Sequence, residues 1–411
     1  MIVNDDILRN SVRLWALVSE FKYPADAVLS KFFRDNRKLK PYERNTLAET
    51  VYVLLRNYNK ISAVVNPTHN LQMIVYTWLH FMKVDEQLLA NLSIVNLDDV
   101  TNYAKPNFEI LELPQWIVEH LATYMTNDEI KALDHAMNGV APLTLRVNTL
   151  KSNRDDLINK LCADGIDAVK TQFSPYGITL SNKTALMNNK LFLDGYFEVQ
   201  DEASQLAGLL FDAKRGEMIV DFCAGSGGKT LMIGMMMRSS GRIYAFDVNQ
   251  RRLDNMAPRL ARSGLSNVYP QVINNENDTK VKRLMGKIDR VFVDAPCLGL
   301  GTLRRNPDLK FRQNELALKE IIEKQLAILN SASRLVKPKG TLLYATCSIL
   351  REENREIIEK FLINHPEFKI VSLEHMVNDY SLELADSRYL ELLPHKHNMD
   401  GFFACLLQKD V

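Results

Sequence analysis

The chain has almost no charge imbalance. Its 411 residues carry 51 Lys and Arg against 50 Asp and Glu. Net charge therefore cannot attract a polyanion, and any contact with nucleic acid must be carried by local patches. Cysteine is sparse: the five residues Cys162, Cys223, Cys297, Cys347 and Cys405 are odd in number and show no CxxC spacing. That argues against a disulfide framework or a structural zinc site and fits a reducing cytosol. PHKH (394–397) offers two histidines with no further ligands close by, so no metal is expected. The opening MIVNDDILRNSV carries acids where a signal peptide needs basic residues and an apolar run. No apolar segment approaches ~18 uninterrupted residues, so a cytoplasmic protein with no membrane association is expected. Fixed-period repeats and low-complexity tracts are also missing.

What is present divides into three textures. Residues 1–136 read as helical throughout. Leu29, Phe32 and Phe33 fall at i, i+3, i+4, and Leu47, Val51, Leu54 and Leu55 follow Pro41, which suits a first helical turn. Lys22 to Lys60 holds nine Lys/Arg against four Asp/Glu, which is either a solvated face or a contact surface for RNA. Residues 137–199 change character. LTLRVNTL alternates like a strand, DDLINKLCADGI reads as a short helix, and strand-like pieces lie near Ala168–Phe173 and Tyr176–Leu180. This predicts a small α+β module. From 200 to 411, strands at 217–222, 242–248, 267–273, 288–296 and 340–348 alternate with helices near 229–238, 249–263, 313–335 and 352–364. That alternation predicts an α/β fold, a Rossmann-like doubly wound and mostly parallel sheet. Ligands of such sheets sit at the carboxyl ends of the strands.

The stretch DFCAGSGGKT (Asp221–Thr230) ends like a phosphate-binding loop, but G-x-x-x-x-G-K-[ST] would need a glycine where Cys223 stands. What remains is a strand, an acid and a glycine turn opening a helix. Gly225, Gly227 and Gly228 let the backbone approach a ligand closely. Asp247, at the end of the next strand, can accept hydrogen bonds from ribose hydroxyls. These features suit an adenosine-containing cofactor and leave open whether it is a dinucleotide or S-adenosylmethionine.

Two strands end in cysteine: VDAPC at Asp294–Cys297 and ATCS at Cys347. If the strands are neighbours, two thiols and a carboxylate converge beside the glycine loop. The chemistry that needs this set is methylation of a pyrimidine at C5. That carbon is a poor nucleophile until a thiolate adds at C6 and makes the ring enamine-like. A donor at N3, such as a carboxyl group with a raised pKa, would absorb the developing charge.

DFCAGSGGKT, VDAPCLGLGTLRRNPDLKF and YATCSILREEN together resemble the RNA (cytosine-5) methyltransferases of the RsmB/NSUN type. The flanking VQDEASQLAG, DGFFACLLQK and LRVNTLK resemble the same family, from about residue 140 to the end. ADAVLSKFFRDNRKLKPYERNTLAETVYVLLRN is similar to the NusB-like helical domain of bacterial members. The resemblance implies Cys347 as the nucleophile, Cys297 as an aid to product release, and Asp294 on the base edge near the cofactor. It implies S-adenosyl-L-methionine held by Cys223, Ala224, Gly225, Ser226, Gly227, Gly228 and Lys229, with Asp247 on the ribose. A further cofactor carboxylate is expected at Asp278, although the family often shows D-[AG] there and Thr279 follows here.

The loop GTLRRNPDLKFR places Arg304, Arg305, Lys310 and Arg312 just after Cys297, where they are expected to contact phosphates. The small module is RRM-like in outline but shows no RNP-type aromatic signature, so base stacking on its sheet is not expected. The implied partner is small-subunit (16S) rRNA, met by a monomer. Three rival readings remain: a DNA cytosine-5 methyltransferase, which would use Cys297; a nicotinamide-dependent oxidoreductase, which would leave the paired cysteines unexplained; and a non-catalytic RNA-binding assembly factor.

Overall fold

The computed structural model describes residues 2–96, 98–181 and 185–410. The chain forms two compact units. One runs up to Val140 and includes Thr302–Glu315; the other is Ala141–Gly301 with the chain from Leu316 onward.

The first unit contains no strand among its described residues. Its helices begin where side chains satisfy free backbone N–H groups. Asn4 Oδ1 accepts from Ile7 N–H at 2.8 Å ahead of the helix Asp5–Val18. Pro41 opens the helix Pro41–Arg56, and Glu43 takes the Lys40 N–H at 2.6 Å. Leu47, Val51, Leu54 and Leu55 line one side of that helix and are fully buried. The segment 302–315 is built into this unit. Phe311 stacks on Phe21 with ring centroids 4.5 Å apart and meets Tyr58 edge-on at 5.0 Å. Asp308 Oδ2 accepts the Ala25 N–H at 3.2 Å, at the start of the helix Ala25–Asp35.

The second unit holds two sheets. The smaller is antiparallel, in the order β2-β3-β1-β4, from β1 (Leu143–Val147), β2 (Ala168–Lys170), β3 (Gly177–Leu180) and β4 (Phe197–Val199). The helix Arg154–Ala163 turns Leu157 and Leu161 into the same core as Leu145 and Ile178. The larger sheet is built from β5 (Met218–Asp221), β6 (Arg242–Asp247), β7 (Val268–Val272), β8 (Ile288–Asp294), β9 (Val336–Thr346), β10 (Phe368–Ile370), β11 (Leu390–Leu392) and β12 (Phe402–Lys409). Its order is β10-β12-β9-β8-β5-β6-β7, with β11 also on β12. The five strands from β9 to β7 are mutually parallel, and β12 runs antiparallel to β9. This is the expected α/β, Rossmann-like sheet, mostly parallel. Ile219, Val220, Val291, Phe292 and Val293 are fully buried, as strands covered by helices on both faces require.

The chain leaves β5 toward β6 and β7, then returns to β8 on the other side of β5. That reversal opens a crevice beyond the carboxyl end of β5. The antiparallel edge β10–β12 had no counterpart in the expectation. A run such as FFACLL is apolar without alternation, and period alone does not separate a buried strand from a buried helix.

Candidate active site

The crevice is a cleft of about 780 Å³ lined by the ends of β5, β6, β8 and β9. The turn after β5 enters the helix Gly228–Met236 through Gly227, whose φ is 87°. A Cβ there would also sit 2.6 Å from Met256 Cγ, so any side chain strains the turn and displaces Met256. Asp247 Oδ2 accepts the Gly225 N–H at 2.8 Å and Oδ1 the Asn249 N–H at 2.7 Å. Each carboxylate oxygen keeps a lone pair for a ligand hydroxyl.

β8 and β9 are parallel neighbours, with Asp294 beside Ala345 in register. The residues just past their ends therefore meet. The Cys297 and Cys347 sulfurs are 3.3 Å apart, and both line the cleft with Asp294. The Cys347 sulfur, and then burial, push the Cys297 thiol well above its ordinary value. Lys229 Nζ lies 2.9 Å from Asp294 Oδ2 and 5.1 Å from the centroid of the Phe402 ring. Burial is the largest single influence on the Lys229 ammonium and lowers it, but the charge and hydrogen bond of Asp294, with the fields of Cys347 and Asp221, together outweigh it and the net shift is upward.

Other expected residues fall elsewhere. Asp278 does not line the cleft. It caps the short helix Thr279–Lys282, accepting from Asn274 N–H and Lys280 N–H at 2.9 Å each. Glu276 lines the cleft instead. Among the four loop cations, Lys310 is 2% exposed, and its ammonium lies 3.1 Å from Glu112 Oε2 inside the helical unit. Arg304 is 5% exposed, and Arg312 pairs with Asp308 at 2.8 Å. Arg305 is half-buried. The expected phosphate contacts are thereby corrected for Lys310 and Arg304, because a cation desolvated against its own protein is not offered to a phosphate. Local charge counting cannot see this, since Glu112 is almost 200 positions away in the chain.

Two acids escaped the sequence reading. Asp221 ends β5 fully buried; burial pushes its carboxyl up to about 7. Thr230 Oγ1 donates to its Oδ2 at 2.6 Å, whereas Oδ1 has no hydrogen-bond partner among the described residues. An acid closing an apolar strand just before the glycine turn was its visible signal. Glu353, also fully buried, accepts from Leu298 N–H at 2.9 Å and Gln325 Nε2 at 3.0 Å, and from Ser348 Oγ.

The described residues contain no cluster of three or more His, Cys, Asp or Glu able to hold a metal, and no helix long and apolar enough to cross a membrane. The fold and the cleft define a Rossmann-like methyltransferase. Residues 208–408 match the family described as 16S rRNA methyltransferase RsmB/F, and residues 113–187 match the ferredoxin-like domain of RsmF/B-like methyltransferases. The chain is 33% identical to the probable ribosomal RNA small subunit methyltransferase B of Synechocystis sp., over 73% of this chain and 68% of that one. It is 28% identical to the protein of the same name from Bacillus subtilis, over 93% and 94%. Among solved structures, PH0851 superposes with a TM-score of 0.81 at 27% identity, covering all of both chains. NSun6 from Pyrococcus horikoshii, solved with SFG, superposes with a TM-score of 0.64 at 20% identity, over 72% of this chain and 98% of that one, and shows the same fold. The chain belongs to the RsmB/F family, whose members are S-adenosylmethionine-dependent rRNA methyltransferases.

Proposed function

We propose that this protein is an RNA (cytosine-5) methyltransferase acting on small-subunit rRNA. In this reading it moves the methyl group of S-adenosylmethionine to C5 of a cytosine while Cys347 is bonded to C6. The observation that carries it is the pair of sulfurs 3.3 Å apart at the ends of adjacent strands, in the same cleft as Asp294 and Asp247. A non-catalytic assembly factor would have no use for this arrangement.

The residues present fit the cofactor. The glycine turn permits close backbone approach, and Asp247, which lines the cleft, keeps a lone pair on each carboxylate oxygen for a ribose hydroxyl. When bound, S-adenosylmethionine supplies an electrophilic methyl group. The chain's own residues do the rest. Lys229 lies in the field of Cys347, whose negative charge favours the Lys229 ammonium. The Cys347 thiolate adds at C6, and the Asp294–Lys229 pair offers a donor at N3. Once Cys347 sulfur is tied up in a C–S bond, the largest cause of the raised Cys297 pKa is gone. Cys297 then gives its proton to water in the cleft, its thiolate takes the C5 proton, and the released electron pair re-forms the C5–C6 double bond as the Cys347 thiolate leaves. The target base must be unpaired or extruded to reach the cleft.

The test uses RNA and cofactor with two variants. Cys297→Ala is expected to accumulate a protein–RNA adduct stable to denaturation. Cys347→Ala should form no adduct and transfer no methyl group. Interchanged outcomes would assign the nucleophile to Cys297, as in the DNA enzymes.

A further inference from the structure

The stretch Arg351–Asn354 follows the second thiol and takes no part in the chemistry above. Its side chains nevertheless tie down both cysteine loops. On the Cys297 side, Leu298 N–H donates to Glu353 Oε1 at 2.9 Å. Gln325 Nε2 bridges the Pro296 carbonyl at 2.9 Å and Glu353 Oε1 at 3.0 Å. Both neighbours of Cys297 are thus connected to one buried carboxylate. On the Cys347 side, Ser348 Oγ donates to Glu353 Oε2. Here, however, other ties are independent of Glu353. Thr346 Oγ1 donates to Asn354 Oδ1 at 2.5 Å, Asn354 Nδ2 to the Ser348 carbonyl at 3.0 Å, and Gly301 N–H to the Cys347 carbonyl at 2.9 Å. Tyr344 hydroxyl fixes the Glu353 backbone by donating to its carbonyl at 2.7 Å.

Resting on the covalent reading above, we infer that Glu353 is a positioning residue that holds Cys297 against Cys347, so that release of methylated RNA depends on it more than formation of the Cys347 adduct does. The asymmetry of the ties is the reason. Removing the carboxylate unties the Leu298 flank of Cys297 outright and frees the Gln325 amide that holds the Pro296 flank, whereas Cys347 loses one tie among several. An apolar residue at 353 would strand buried donors on Leu298, Gln325 and Ser348, whereas a carboxamide can still accept from Leu298 and donate to Ser348 Oγ.

The test incubates the full chain with an in-vitro transcript of small-subunit rRNA and methyl-labelled S-adenosylmethionine. Adduct is read on a denaturing gel against released methylated RNA. Their ratio does not depend on how much enzyme is active, so a loss of stability alone leaves it unchanged. Glu353→Ala is expected to raise the ratio about tenfold or more, since a misplacement of an ångström at a reacting group has effects of that size or larger. Glu353→Gln is expected to stay within about threefold of the unaltered enzyme. Gln325→Ala, which unties only Pro296, should shift the ratio in the same direction and serves if Glu353→Ala does not fold. An unchanged ratio in Glu353→Ala, or in Gln325→Ala where the former is insoluble, overturns the inference. So does a Gln variant as impaired as the Ala one. If Cys297→Ala itself accumulates no adduct, the covalent reading fails and takes this one with it. Adduct in Cys297→Ala with an unchanged ratio in Glu353→Ala sinks only the positioning role.

Discussion

Replacing Asp221 by Asn should change how the stability of this protein responds to pH, and the size of the change follows from the burial of one carboxyl group. In the unfolded chain Asp221 titrates at its ordinary value of 3.8, and in the folded protein burial pushes it up to about 7. Between those values the folded state keeps a proton that the unfolded state has lost. Stability therefore falls as pH rises from about 4 to about 7 and is flat above, which is opposite to a salt-bridged carboxylate. A difference of about three pKa units at ~1.36 kcal/mol each gives a ceiling near ~4 kcal/mol. Water entry and the nearby Lys229 will reduce it, so about 1–4 kcal/mol is expected. Asn is isosteric and can still accept from Thr230 Oγ1, so near pH 4 to 5 the variant should match the unaltered protein. By pH 8 it should be the more stable by that amount. Urea unfolding of both proteins across pH 4.5 to 8, with unchanged m-values, reads the difference directly. A difference that does not vary with pH would refute the claim that Asp221 carries its proton inside the folded protein.

Two other perturbations test the buried architecture. Lys310→Met keeps the volume but removes one of the two ammonium groups on Glu112, leaving Lys60 Nζ at 3.3 Å and the backbone N–H groups of Asn59 and Lys60. It should cost the helical unit about 2–4 kcal/mol in thermal unfolding. The slope of log affinity for RNA against log salt should change by well under ~1, the amount one lost phosphate contact would carry. Gly227→Ala forces a side chain onto a backbone with φ of 87° and against Met256, so it should cost about 1–3 kcal/mol. It should also weaken cofactor binding, measured by calorimetry, well before it affects RNA binding.

The parts of this protein that sequence determines by itself are those written in neighbouring residues. The apolar strands closed by an acid and a glycine turn specify a parallel sheet and the crevice at its carboxyl edge, because strand period, helix caps and turn chemistry act over a few positions. Cys297 and Cys347 were recognisable for the same reason: each ends a strand. Only the tertiary structure decided what depends on distant partners. It placed the two sulfurs in contact through the pairing of β8 with β9. It sent Lys310 to Glu112 and Phe311 to Phe21, turning an apparently basic RNA loop into part of a helical core. It put Glu276 rather than Asp278 in the cleft wall and added an antiparallel edge. Burial is the physical reason for the division. Whether a charge faces water or a counter-charge is set by which far-off segments pack against it, and that information is absent from any short window of the chain.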